Sequence, residues 1–296
     1  MGSTGREWHG IQAATKDRLG PFDAHLTNAP GDATDLTRRA LLEDRADLII
    51  CVGGDGTLNE VVNGFMGEHG PIRPEALLGF IPRGTGCDFI KTSLMPKALD
   101  RALDVIKESH TRPLDLGKLL YTDHSGRRSS RYFHNIASFG LGGEVDDRVN
   151  RTTKIFGGFI SFIWATLISI LIYHKKRIHL FIDDCLDRKV NCWNVVIANG
   201  QYHGGGMWVA PEAALDDGLF HVTIIGEFTL PEVFWNLPKL YNGKLLQLEK
   251  VETLTCTRVK ASSDQRVLLD VDGEQPGHLP VTIEMVPAAI SLIVPH

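Results

Sequence analysis

The sequence predicts an α/β N-terminal domain, a parallel sheet with flanking helices, followed by a β-rich and mostly antiparallel C-terminal domain. Three observations predict this. Short apolar runs alternate with helical patterns up to about residue 111, as a parallel sheet covered on both faces requires. Two of those runs, ending at Val52 and Ile81, pass straight into glycine-rich turns. Beyond Thr111 strand-like runs dominate, joined by polar or Gly-rich connections. The two domains are accordingly placed at residues 1–111 and 112–296, and the length is ample for a real core in either arrangement of one large or two modest domains.

In order, a helix through Trp8, Ile11 and Leu19 stops at Gly20-Pro21. Phe22–Thr27 is expected to form a short strand, Asn28–Asp32 a loop, and Ala33–Arg45 a helix with Leu36, Ala40 and Leu41 on one face. The apolar run Leu48–Val52 breaks into Gly53-Gly54-Asp55-Gly56-Thr57, and Leu58, Val61, Val62 and Phe65 then recur at helical spacing. Leu77–Ile81 is a strand ended by Pro82-Arg83-Gly84-Thr85-Gly86-Cys87-Asp88, and Pro96–Ser109 is helical. Second-domain strands are expected at Leu116–Tyr121, Arg131–Ala137, Ile178–Ile182, Asn194–Ala198, Phe220–Ile225, Arg266–Val271 and Val281–Met285.

Charge and cysteine usage narrow the function classes. A net charge of −5 argues against a broad nucleic-acid surface, so no nucleic-acid partner is expected. Five scattered cysteines without CxxC spacing indicate neither a disulfide framework nor a zinc site, and the natural compartment is a reducing cytosol. The opening residues hold no apolar stretch of secretory type. Residues 155–173 run for 19 positions without a charge, between Arg151 and Lys154 on one side and Lys175, Lys176 and Arg177 on the other. Three readings stand for this segment: a spanning helix, a core helix, or a helix at a lipid-facing groove or membrane interface. Spanning is excluded if the two halves of the chain build one site.

The Gly53–Thr57 turn is the strongest chemical signal. A strand, a tight glycine turn and a helix N-terminus present backbone N–H groups and a positive dipole end to phosphate. Asp55 in the middle of such a turn makes sense if Mg²⁺ sits between it and the phosphates. Both glycine turns fall at the carboxyl ends of strands, where ligands of parallel sheets collect.

GGDGTLNEVVNG (Gly53–Gly64) and PRGTGCDF (Pro82–Phe89) resemble the diacylglycerol-kinase catalytic family, in particular its soluble bacterial lipid kinases, with sphingosine and ceramide kinases as relatives. RPLDLGKL (Arg112–Leu119), YFHNIASFGLGGEV (Tyr132–Val145), ANGQYHGGGMWVAPEAALDDGLFHV (Ala198–Val222) and VDGEQPGHLPVTIEMVP (Val271–Pro287) agree. The GGDGT turn alone is shared with NAD kinases and phosphofructokinases; the ordered set is far more specific. The resemblance implies ATP- and Mg²⁺-dependent phosphorylation of a lipid hydroxyl, diacylglycerol or a related long-chain alcohol, in a cleft between the two domains. The alternatives are a kinase of a small soluble substrate such as NAD, or a catalytically dead nucleotide- or lipid-binding homologue.

Under this resemblance Gly53, Gly54, Gly56 and Thr57 anchor phosphate, with Glu60 in the nucleotide or metal shell and Arg83, Gly84 and Thr85 forming a second phosphate-side loop. Asp88, Asp115 and Glu274 join Asp55 as the carboxylates for metal binding and proton transfer, Glu274 being the general base. Asp55, Asp88 and Asp217 are the metal candidates, Asp217 for a second, structural Mg²⁺. Each has a plain competitor: a solvated helix residue for Glu60, a surface charge for Arg83, an Asx-turn for Asp115, a DDG turn for Asp217 and an acidic hairpin turn for Glu274. Two departures stand out. The family opens with a strand leading into an Asn-Pro-x-Ser-Gly-x-Gly turn, of which Met1–Gly5 resembles only the tail, so the first strand is expected to be missing, through an upstream start or a real loss. Cys87 stands where the family usually has Asn. The implied setting is cytoplasmic and peripheral to the inner face of the membrane, with a lipid substrate, transient contact with the membrane surface, and a homodimer as an open assembly state.

Overall fold

The computed structural model describes residues 3–84, 86–151, 166–183 and 185–296. Helix α1 (Ser3–Leu19) ends where Gly20 turns left-handed at φ +91°. It lies beside α5 through ion pairs from Arg18 to Asp100 and Asp104. Residues 20–28, including the expected strand Phe22–Thr27, carry no regular structure. Phe22 and Leu26 are exposed there, and no sheet edge takes up their backbone groups, so local β propensity finds no partner.

Helix α2 (Asp32–Leu42) packs on α3 (Asp55–Phe65), which follows strand β1 (Leu48–Gly53). A Cβ on Gly64 would collide with Thr37 at 2.6 Å, so this glycine permits the close α2–α3 approach. A small hairpin, β2 (Met66–Gly67) and β3 (Gly70–Pro71), leads to β4 (Leu77–Pro82). β4 pairs parallel to β1 from Leu48 opposite Leu77 to Gly53 opposite Pro82. Helices α4 (Phe89–Ser93) and α5 (Leu99–Glu108) complete this half, α5 burying Ala102, Leu103, Val105 and Ile106.

Strand β5 (Thr111–Asp123) turns into β6 (Arg128–Phe133), and after a break at His134-Asn135 come β7 (Ile136–Gly140) and α6 (Leu141–Arg151). Helix α7 is described over 166–172, whereas most of the uncharged 155–173 segment lies outside the described residues. No described helix is long and apolar enough to cross a membrane. Strands β8 (Lys176–Ile182), β9 (Leu186–Cys192) and β10 (Asn194–Ala198) follow. The ribbon β11 (Tyr202–His203) and β12 (Met207–Trp208), β13 (Phe220–Ile225) and helix α8 (Leu230–Asn236) come next. The chain closes with β14 (Val251–Cys256), β15 (Arg258–Ser262), β16 (Leu269–Val271) and the long β17 (Gly277–Ile293).

Two main sheets result. One has the order β1-β4-β17-β15-β8-β9, with β5 pairing both β17 and β6; the other is β14-β13-β10-β7-β16 and is antiparallel throughout. The inner faces of β8, β15 and β17 meet those of β7, β10 and β13 in one apolar core, with Phe133 stacked on Phe220 at 5.6 Å between ring centroids. β17 also reaches the first half, where Ser291 and Leu292 pair parallel to Leu77 and Leu78 of β4. Ala289, Ile290, Leu292, Ile293 and Val294 thus sit in the same core as Leu58, Phe65 and Phe80. The α/β half with its parallel sheet and the antiparallel β half match the fold class expected from the sequence.

Gly117 of β5 lies against the Phe133 ring, which occupies the space a Cβ would need. Gly117→Ala is expected to destabilise the protein by about 1–3 kcal/mol through forced repacking, read as a lower urea midpoint at unchanged slope.

Candidate active site

The two glycine turns are in backbone contact. Arg83 donates its N–H to Gly53 O at 2.6 Å, and a Cβ on Gly54 would approach Gly84 Cα to 3.0 Å, so both positions need glycine for the turns to meet. Gly54 is the N-cap of α3 and offers no side chain, so the N–H groups of the first turn at Asp55, Gly56 and Thr57 keep an open, anion-seeking end. Thr57 packs against Gly53, within 2.8 Å of where a Cβ would stand.

Asp55 and Asp88 come together at this junction. Asp55 Oδ2 accepts the Asp88 N–H at 3.0 Å, while Asp55 Oδ1 is buried with no hydrogen-bond partner. Burial, with Asp88 and Asp272 nearby, pushes the Asp55 carboxyl above its usual range. An orphaned acceptor whose charge is disfavoured is what a cation would satisfy. Mg²⁺ bound mainly through substrate phosphates needs only one or two protein carboxylates, so Asp55 fits that group. The described residues hold no cluster of three or more side chains suited to a metal. The Asp88 carboxylate accepts from Lys91 Nζ at 2.7 Å and from Gly205 N–H at 2.6 Å, which ties the β11–β12 turn to the site. Cys87 takes φ +48°, a left-handed conformation in which Asn is the favoured non-glycine residue, and its thiol donates to Gly84 O at 3.4 Å. Burial pushes that thiol up.

Glu274 closes the site from the other half. Val271 and Glu274 exchange backbone hydrogen bonds of 2.8 and 3.0 Å, with φ +50° at Asp272 and +84° at Gly273. This is a two-residue hairpin with the Asp-Gly pair that primed turns favour. The acidic-turn reading therefore describes the backbone correctly, and the turn delivers Glu274 beside Gly56 of α3. Arg131 Nη1 lies 2.6 Å from Glu274 Oε2, and Arg131 Nε also donates to Asn59 Oδ1 at 2.9 Å.

The residue that fixes this turn is Asp272, to which the sequence reading gave no role. Its carboxylate accepts the N–H groups of His134, Asn135 and Ile136 at 3.1, 3.2 and 2.9 Å and the Asn59 amide at 2.7 Å. His134 Nδ1 lies 2.8 Å away. Burial alone would raise this carboxyl, but the His134 ring and the backbone donors outweigh it and hold it at about 2.

Glu60 lines a polar cleft with Glu274, and its oxygens accept the Gly31 and Ala33 N–H groups at 2.9 and 3.1 Å, capping the start of α2. Arg83 turns toward Glu7 of α1 at 3.8 Å and the Lys97 carbonyl at 3.2 Å. The Asp115 carboxylate accepts Ala288 N–H at the β17 bulge (2.6 Å) and Gly218 N–H (2.7 Å). Burial raises that carboxyl. Asp217 shares this second locus, where it accepts Leu219 N–H at 3.0 Å and faces His221 at 3.3 Å. Thr85 lies outside the described residues.

Two ligand-sized spaces flank the Asp270–Glu274 segment. A polar cleft of about 1,530 Å³, mouth included, is lined by Gly31, Thr34, Arg38, Lys118, Arg131 and Glu274. An apolar pocket of about 940 Å³, mouth included, opens on the opposite side among Val145, Ile170, Met207, Phe228, Val233 and Leu245.

The diacylglycerol kinase catalytic domain matches residues 2–119, and the YegS C-terminal NAD kinase beta sandwich-like domain matches residues 135–294. A diacylglycerol kinase of Staphylococcus carnosus is 33% identical over 258 residues, covering 87% of this chain and 79% of its own. The chain belongs to the diacylglycerol kinase family. Another family member, from Bacillus subtilis, is 29% identical over 86% of this chain and 80% of its own. In fold, a crystal structure of a diacylglycerol kinase from Bacillus anthracis superposes with TM-score 0.71 at 19% identity, covering all of this chain and 93% of that one. Yeast NADH kinase in complex with NADH shares the fold more distantly, at TM-score 0.52 and 14% identity over 97% of this chain and 72% of that one.

Asp272 gives a pH signature. A folded value of about 2 lies below the unfolded value of about 3.9, so the unfolded chain binds more protons between them. The stabilisation is complete above that range and lost as pH falls toward 2. Asp272→Asn is expected to cost about 2 kcal/mol at pH 7 and to flatten the decline between pH 4 and 2, measured by urea unfolding across that window.

Proposed function

We propose that this chain transfers the γ-phosphoryl group of ATP to the hydroxyl of diacylglycerol or a related long-chain lipid alcohol, with Mg²⁺. The observation that carries this reading is the apolar pocket among Val145, Ile170, Met207, Phe228, Val233 and Leu245, whose lining residue His203 pairs with Asp270 of the strand that leads into the Glu274 turn. A soluble acceptor such as NAD has no use for a pocket walled by Val, Ile, Leu and Phe.

In this reading the nucleotide lies in the polar cleft, where Arg38, Lys118 and Arg131 supply positive charge. Its phosphates meet the N-terminus of α3 across the paired glycine turns. Asp55, whose Oδ1 is buried without a partner, would hold Mg²⁺, which would supply charge neutralisation for the transferred group. Asp88 orders the adjoining loop through Lys91 and Gly205. Glu274 takes the proton from the lipid hydroxyl through the oxygen that Arg131 leaves open, and Arg131 holds the carboxylate in place. The lipid tail lies in the apolar pocket. Around its mouth, Leu171 and Ile172 of α7 and Trp235 of α8 are exposed, Trp235 by 85%, with Lys175, Lys176 and Arg177 following α7. Such an edge supports transient contact with an anionic membrane surface on the cytoplasmic side.

The test is label transfer from γ-labelled ATP into a lipid panel in mixed micelles with Mg²⁺. Label is expected to enter a long-chain alcohol and to vanish in Asp55→Ala with the thermal transition retained. Label entering only a soluble acceptor would overturn the lipid reading. Glu274→Gln is expected to keep nucleotide affinity and reduce turnover by roughly 10²-fold or more; a fall in nucleotide affinity with turnover intact would remove Glu274 as the base.

A further inference from the structure

Helix α8 is apolar on two faces, and none of its seven residues is buried. Val233 and Asn236, with Leu237 and Leu240 of the short turn that follows, line the apolar pocket. Val233 and Leu237 pack there on Ile170 and Tyr173, around the end of α7. Leu230 and Phe234, one helical turn apart, are exposed together with Trp235, which is 85% accessible. Leu171 and Ile172, next to the pocket-lining Ile170, are exposed as well. The single charged residue of α8, Glu232, accepts the Thr229 N–H at 2.7 Å and pairs with Lys250 at 2.7 Å. Its charge is therefore spent on capping and pairing, and the aromatic face is left to meet water. A helix with one apolar face on a pocket and another outside lacks the polar side that a surface helix normally presents.

The charge around this face selects its partner. Residues 173–177 and 227–250 hold six Lys and Arg against three acids, in a chain whose net charge is −5. Two of those acids are matched already, Glu227 by Lys175 at 3.5 Å and Glu232 by Lys250. A second copy docking through the same face would set the basic excess against itself. An anionic lipid surface answers both features at once: aromatic rings settle at the headgroup level, and Lys and Arg meet the lipid phosphates.

We propose that the outer face of α8 and the end of α7 dock on an anionic bilayer, with Trp235 inserted at the headgroup level as the anchor. The wall of the pocket is then itself in contact with lipid, and the pocket fills from the leaflet without the acyl chains crossing water. This rests on the lipid-kinase reading and adds a condition to it: docking through α8 sets access to the acceptor.

The first test is co-sedimentation of the protein with phosphatidylcholine vesicles, with and without phosphatidylglycerol and with no nucleotide present. Phosphatidylglycerol is expected to raise binding by about 10-fold or more, and added salt to reverse the gain. Trp235→Ala is expected to weaken binding to the anionic vesicles by about 10-fold with the thermal transition retained. Acyl-brominated phosphatidylcholine in those vesicles is expected to quench tryptophan emission, and part of that quenching is expected to disappear in Trp235→Phe. In kinetics, the readout is kcat/KM for dioleoylglycerol in anionic vesicles divided by that for dihexanoylglycerol in free solution. Because Trp235 does not line the pocket, this ratio is expected to fall by about 10-fold in Trp235→Ala. Vesicle binding equal to wild type in Trp235→Ala, quenching unchanged in Trp235→Phe, or an unchanged kinetic ratio overturns the assignment. Self-association that Trp235→Ala abolishes gives the face to a second copy and overturns it too. Transfer to no lipid at all sinks the kinase reading, while the vesicle measurements still decide the docking.

Discussion

A single buried carboxylate holds the two halves of this protein in register. Asp272 collects three successive backbone N–H groups from the β6–β7 corner, the Asn59 amide from α3, and the His134 ring. The contacts join the β6–β7 corner to α3. α3 carries the phosphate-binding turn at its start, the β6–β7 corner joins the two sheets, and Asp272 sits one residue from Gly273 in the turn that delivers Glu274. An ionised group so deeply buried is tolerable only when its lone pairs are filled. The demand for those donors is therefore also a demand that α3, the corner and the turn stand at fixed distances.

The same segment separates two solvents. Leading away from Glu274 on one side is a cleft rich in arginine and lysine; on the other is a pocket rich in aliphatic and aromatic side chains. A polar donor and an apolar acceptor need opposite surroundings, yet their reacting atoms must meet within contact distance. Charge is kept local there: His203 compensates Asp270, backbone and amide donors fill Asp272, and Asp55 Oδ1 is left buried without a partner.

Legibility in the sequence followed periodicity and turn chemistry. β1, α3 and β4 could be read because apolar spacing and glycine turns agree there, and the meeting of Asp55 with Asp88 followed from both turns leaving adjacent strands. Phe22–Thr27 misled because alternation measures local preference and says nothing of a vacant sheet edge. Asp115 resembled a site carboxylate in sequence, but its partners, Ala288 and Gly218, lie 173 and 103 positions away and bind it through backbone atoms that carry no side-chain signal. Asp272 and Asp270 had one available signal, two acids alternating in an otherwise apolar strand, which implies charges facing inward. The apolar pocket as a whole was beyond reach: the uncharged 155–173 segment, one of whose readings was a lipid-facing groove helix, contributes Ile170, but the other walls come from α6, β10, β13 and α8, which no spacing rule links.

β17 has a consequence for how the molecule is made. The N-terminal core is closed by Ala289, Ile290, Leu292, Ile293 and Val294, near the far end of the chain. On the ribosome, the first half emerges with that side of its core open, and β4 lacks the neighbour that Ser291 and Leu292 supply. Domains that fold as they are synthesised depend on local contacts. Here the first half to be made is the last to be finished, and the edge of β4 that Ser291 and Leu292 occupy stays unpaired until β17 arrives.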